Sequence, residues 1–138
     1  MIYKHLFIDS DVLLDMLLNR EPFGGYTQLL LLESQNQAIQ LSTSVLVIAN
    51  INYILERKVG ATASKKAIIA LVKRINVLSF ENDIMDEALK SGFNDLEDCI
   101  QYLIAKRYKC NAIITRNIKD YKQASLPVLT AEQFLRTL

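Results

Sequence analysis

Apolar residues fall into two alternating rhythms along this chain. Short continuous runs stop abruptly at polar residues, and longer stretches repeat every three or four positions. The run 3–8 predicts a buried strand that stops at Asp9. Val12, Leu13, Met16 and Leu17 then mark the apolar side of a helix that Ser10 or Asp11 can cap, and Glu21-Pro22 breaks it. Phe23-Gly24-Gly25 opens a second helix through four leucines, 29–32, and residues 38–41 predict a short strand. Ser42, Thr43 and Ser44 offer caps for a third helix bearing Val47, Ile48, Ile51, Ile54 and Leu55, ending near Gly60. Thr62 is the expected cap of a fourth helix reaching residue 74. A strand at 75–80 and a helix from about 82 to 91 follow, stopped by Gly92. The sixth helix starts at Asn94 or Asp95 and carries Ile100, Leu103, Ile104 and Tyr108. Residues 112–115 predict a core strand and 127–129 an edge strand, and Thr130 caps a last helix.

Short strands alternating with helices imply a mainly parallel sheet covered on both faces, an α/β/α sandwich. The chain is one domain over 1–138, with no repeat, linker or low-complexity tract. In open sheets of this kind, ligands bind beyond the carboxyl ends of the strands. Asp9 and Thr115-Arg116-Asn117 both fall at such ends, and Asp98, at a helix start, belongs to the same rim.

Composition narrows the class. The chain is 51% hydrophobic and 22% charged, which fits a globular domain and excludes a disordered one. No stretch has the roughly 20 apolar residues of a membrane helix, and no signal peptide opens the chain, so a cytoplasmic protein is expected. Cys99 and Cys110 read as reduced core or rim residues. A net charge of +1 gives no strong field for nucleic acid over the whole molecule. Locally the balance differs: residues 81–98 hold seven acids and one lysine, and residues 106–122 hold six bases and one acid. That contrast suits either two solvated faces or metal beside phosphate.

A carboxylate at the end of a buried strand is costly unless it is exposed, hydrogen-bonded or bound to a cation, so Asp9 is either a loop-anchoring cap or a ligand. Asp95 and Asp98 share a helix face and suit both a capping arrangement and a metal. Oxygen donors favour Mg²⁺ or Mn²⁺, and nothing here is spaced for zinc. His5 is the only histidine and reads as a solvated residue, so a Ser-His-Asp mechanism finds no base. Thr115 can orient a carboxylate or water, Arg116 can pair with phosphate, and Asp120 adds another acid.

Taken together, these segments resemble the PIN-domain family of metal-dependent ribonucleases. The resemblance rests on the run 7–15, on Leu41-Ser42-Thr43-Ser44 opening a helix, on Asp95-Leu96-Glu97-Asp98, and on the run 113–121. It covers nearly the whole chain in the family's order, and many members of this size are toxins of toxin–antitoxin pairs, similar to the VapC type. It implies a PIN-like fold, Mg²⁺ or Mn²⁺, and a metal set of Asp9, Asp98, Asp95 and Asp11. The catalytic set it implies is Asp9, Asp98, Asp95, Asn117 and Asp120. Ser44, Asn50 and Thr115 are the supporting polar residues, and Arg116 and Lys119 the RNA-binding ones. One departure stands out: the family's Glu on the helix after the serine-rich cap falls on Asn50.

The expected function is a metal-dependent endonuclease of single-stranded RNA. An antitoxin protein and a second copy of the chain are its expected partners, and no membrane is involved. The alternative is a PIN-like domain with a weakened site that acts by binding RNA or protein, suggested by Asn50 and Asn117. The Asp9-Ser10-Asp11 spacing also superficially resembles the Asp-x-Asp of haloacid-dehalogenase-like phosphatases, which need a downstream lysine and further acids.

Overall fold

The computed structural model describes residues 3–138. Its strands are β1 (His5–Ile8), β2 (Gln40–Ser44), β3 (Asn76–Leu78), β4 (Ala112–Ile114) and β5 (Val128–Leu129). Its helices are α1 (Ser10–Leu17), α2 (Phe23–Asn36), α3 (Val45–Val59), α4 (Ala61–Val72), α5 (Asn82–Leu89), α6 (Leu96–Arg107) and α7 (Ala131–Leu135). A 3₁₀ turn spans Ile118–Tyr121. The five strands form one all-parallel sheet in the order β3-β2-β1-β4-β5.

Parallel strands need crossover helices, and those helices bury both faces of the sheet. Leu6, Phe7 and Ile8 of β1 and all three residues of β4 are accordingly solvent-free or nearly so. The chain steps outward from β1 through β2 to β3, then returns across the sheet to β4. With right-handed connections, that reversal puts the helices before and after it on opposite faces. It also opens a crevice between the carboxyl ends of β1 and β4, the switch point of the sheet. Among the described residues, no helix is long and apolar enough to cross a membrane.

Three boundaries differ from the sequence expectation. Ser42, Thr43 and Ser44 belong to β2 and are fully buried, so the strand runs on through the polar triplet. The triplet tolerates burial because each hydroxyl has a partner. Ser42 Oγ meets His5 Nε2 at 2.7 Å, Thr43 donates to the Ile8 carbonyl at 2.8 Å, and Ser44 donates to Gln101 Oε1 at 2.6 Å. His5 is therefore half-buried against β2 and not a freely solvated residue. Ser44 still caps α3, accepting the Val47 N–H at 3.1 Å. Thr62 does not cap α4. Gly60, with φ of 89°, both ends α3 and precedes Ala61, a turn that only glycine makes without strain. β3 keeps only three of the six expected residues, as an edge strand with partly exposed side chains. Cys99 and Cys110 are buried free thiols, as expected.

Candidate active site

β1, β2 and β4 end level with one another. Continuing their registers past the last pairs sets Ser44, Asp9 and Thr115 side by side across the rim. Asp9 keeps only 6% of its surface. As the cap of α1 it accepts the Ser10 N–H through Oδ1 at 2.8 Å. Its Oδ2 accepts two hydroxyls, from Thr115 and from Tyr121, each at 3.0 Å. No arginine or lysine is paired with it among the described residues. Burial outweighs the three hydrogen bonds, so the Asp9 carboxyl titrates above its ordinary range. The same burial, with the Asp9 charge beside it, pushes the Tyr121 phenol far up and keeps it a hydrogen-bond donor.

Asp98 lies opposite, in the first turn of α6. Asp95 caps that helix by accepting the Asp98 N–H at 2.9 Å, which is the capping arrangement expected from the sequence. Asp98 is half-buried, and its carboxyl is pushed to about 7, first by burial and then by the charges of Asp9, Asp95, Asp120 and Glu97. Those causes define one electrostatic neighbourhood built from three distant segments of the chain. Asp95 and Asp120 also line a single cleft of about 200 Å³, together with Asn94, Lys119, Lys122 and Gln123.

Asp11 sits on the other side of Asp9. Its Oδ2 accepts the Arg116 N–H at 3.1 Å, and its Oδ1 is buried with no partner. Burial first, then Asp9, raises the Asp11 carboxyl to about 6. The only other orphaned buried side-chain atom among the described residues is Nε2 of Gln101, one helical turn after Asp98. Asn117 donates its N–H to Thr115 Oγ1 at 3.1 Å and leaves its side chain exposed. Ser44 and Thr115 act on the frame: one ties β2 to α6, the other holds Asp9. Arg116 is only partly available to a phosphate. Its Nε and Nη2 grip Asp15 at 2.7 and 3.0 Å, and its guanidinium lies 4.3 Å from the Phe23 ring centre. Lys119 is exposed and unpaired among the described residues.

The parallel sheet flanked by helices agrees with what the chain is similar to among known families. A PIN-domain model matches residues 5–119. The chain belongs to the PIN-domain family. Ribonuclease VapC1 of Aquifex aeolicus (strain VF5) is 26% identical to it over 136 residues, covering 95% of this chain and 93% of that protein. The VapBC-1 structure from nontypeable Haemophilus influenzae matches with a TM-score of 0.70 at 18% identity, covering 93% of this chain and 98% of that one. A toxin–antitoxin complex from Klebsiella pneumoniae matches with a TM-score of 0.63 at 20% identity, covering 91% and 97%. At these identities the two solved structures speak for the fold.

The donor chemistry of the PIN-domain crevice fits a hard divalent cation. All its candidate ligands are oxygens, and among the described residues one buried oxygen lacks any donor and none of these acids is ion-paired. Among the described residues, no three acid, His or Cys side chains already stand in a closed metal-holding arrangement. Uncompensated carboxylates repel, and here Asp9, Asp11 and Glu97 have each turned toward a protein donor.

Three residues of this crevice carried no role in the sequence reading. Tyr121 donates to Asp9, Asp15 anchors Arg116, and Glu97 accepts from Asn50. Asp15 could have been noticed, because it lies four residues after Asp11 on one helix face. Tyr121 and Glu97 offered only their closeness in sequence to Asp120 and Asp98.

Proposed function

We propose that this PIN domain is a divalent-metal-dependent endoribonuclease acting on single-stranded RNA, as the toxin of a toxin–antitoxin pair. The observation that carries the reading is the group of buried and half-buried acids at the switch-point rim, none of which forms an ion pair with a lysine or arginine among the described residues. Buried charge of one sign is unfavourable unless something neutralises it, and a bound divalent cation would do so. The likeness to ribonuclease VapC1 and to a toxin–antitoxin complex supports the same direction.

Asp9 and Asp98 hold the metal in this reading, with Asp11 and Asp95 beside them, and Mg²⁺ or Mn²⁺ as the ion. A cation so placed lowers the pKa of a bound water and offsets charge on the phosphate oxygens. Thr115 and Tyr121 keep Asp9 in one rotamer through Oδ2. Asp120, on the 3₁₀ turn, and Asn117, just before it, would orient the attacking water. Lys119 holds the RNA backbone, while Arg116 contributes a positive edge steadied by Asp15. The antitoxin covers this rim. A second copy of the chain packs on exposed apolar side chains of α3 and α4, among them Val45, Tyr53, Val59 and Ile69.

A second reading, a binding module with a weakened site, is favoured by neutral Asn50 and Asn117. Incubating pure protein with a labelled single-stranded RNA separates the two. Cleavage that needs Mn²⁺ or Mg²⁺ and stops with EDTA is expected; RNA retained intact in every metal sinks the nuclease and leaves the module.

A further inference from the structure

The acid missing from α3 has a counterpart on α6. Asn50 Nδ2 donates to Glu97 Oε1 at 2.6 Å, joining two helices whose residues are 47 apart in sequence. Glu97 stands between Asp95 and Asp98 in sequence, at the mouth of the crevice, and is half-buried. Four residues on, Gln101 shares its helix face and is itself buried against Ser44 at 2.6 Å. Two hydrogen bonds thus clamp this face of α6 to the end of β2 and to α3, at the level of the rim that holds Asp9. Glu97 Oε2 accepts no hydrogen bond among the described residues, and no cation pairs with the group.

We propose that Glu97 is a ligand of the metal held by Asp9 and Asp98, and that Asn50 is a positioning residue that aims its carboxylate. The negative charge that the resemblance implies on α3, at position 50, is here drawn from α6, and the Asn50 amide fixes it. Asn50 suits this role because its neutral donor tethers one carboxylate oxygen and leaves the other free. A glutamate at position 50 would instead set two carboxylates against each other at hydrogen-bond distance. This inference rests on the metal reading above, because it names an additional ligand of the same centre.

The test is calorimetric titration of Mn²⁺ into the full chain, run on wild type, Asp9→Asn, Glu97→Gln, Asn50→Ala and the exchange variant Asn50→Glu/Glu97→Gln. Each is checked for an unchanged circular dichroism spectrum in EDTA. Glu97→Gln is expected to weaken Mn²⁺ binding by about 10- to 100-fold, and Asn50→Ala by a smaller factor within that order. The exchange variant, which returns the carboxylate to α3, is expected to recover most of the affinity; a glutamine at position 97 can still accept the Asn50 amide, so a purely structural role for the pair predicts that Glu97→Gln loses no affinity at all. If Glu97→Gln binds like wild type while Asp9→Asn does not, Glu97 is no ligand and the metal centre stands without it. If wild type fails to bind Mn²⁺ even with an uncleavable RNA analogue present, the metal reading fails and this inference falls with it.

Discussion

Two acidic groups on α1, Asp15 in its second turn and Asp9 at its cap, have opposite electrostatic surroundings. Asp15 is almost solvent-free, and both Arg20 and Arg116 pair with it, at 3.0 and 2.7 Å. Asp9, one strand end away, is nearly as buried and has only neutral donors. Asp11 lies between the two groups: Arg116 gives it a backbone N–H while giving Asp15 its guanidinium. The first group is complete within the chain and builds structure. It fixes Arg116, and Gly24 lets α2 approach it, because a Cβ there would stand 2.6 Å from the Asp15 carbonyl oxygen. The second group is incomplete within the chain, and its unbalanced charge is what a metal and a phosphate can answer. Burial alone distinguishes nothing here; the presence or absence of a cation does.

This contrast can be broken by substitution. The largest effect is expected at the incomplete group: Asp9→Asn and Asp98→Asn should each lower metal-dependent RNA cleavage by about 1000-fold while leaving the fold intact in EDTA. Full activity in either variant would remove that residue from the centre. At the complete group the effect should fall on stability instead. Asp15→Ala leaves unpaired two arginines that are 44% and 34% exposed and so screened by water, and urea unfolding should register a loss of about 1 to 2 kcal/mol. An unchanged midpoint would mean the arginines re-solvate freely.

Acidity offers a third distinction. Asp98 and Asp11 titrate in the folded chain at about 7 and about 6, above the ordinary 3.8. The folded chain therefore holds more protons than the unfolded chain across that window. Stability from these groups is full below about pH 4 and is lost as pH rises through 6 and 7. Melting in EDTA should accordingly fall by a few °C between pH 5 and pH 8, and Asp98→Asn should flatten the slope. A melting temperature that rises over this range would contradict the uncompensated cluster. The smallest effect is expected from Tyr121→Phe, which removes one donor from Asp9. Its stability should drop by about 1 kcal/mol, and its Mn²⁺ affinity should change with it if Asp9 is held in place by that phenol.

Much of this was legible along the chain. Run lengths located all five strands, and the caps Ser44, Asp95 and Thr130 all hold. Asp9 and Asp98 were visible as acids in apolar settings, one closing a strand and one opening a helix. The errors share one cause. Ser42, Thr43 and Ser44 read as helix caps beyond the strand because hydroxyls cost free energy when buried, and only partners from β1 and α6 remove that cost. Asn50 looked like a lost ligand because its partner is 47 residues away. Arg116 looked free for phosphate because Asp15 was invisible to it in sequence.

The amino-acid sequence by itself determined the alternation of strand and helix, the parallel sheet, the carboxyl-end rim and the acids placed on it, because periodicity and capping are local properties of the chain. The tertiary structure alone decided which of those acids are neutralised. That depends on which side chains meet across the crevice: Asp15 meets two arginines, Glu97 meets an amide, and Asp9 meets only hydroxyls and a backbone amide. Charge interactions follow distance in space, and sequence spacing does not measure that distance.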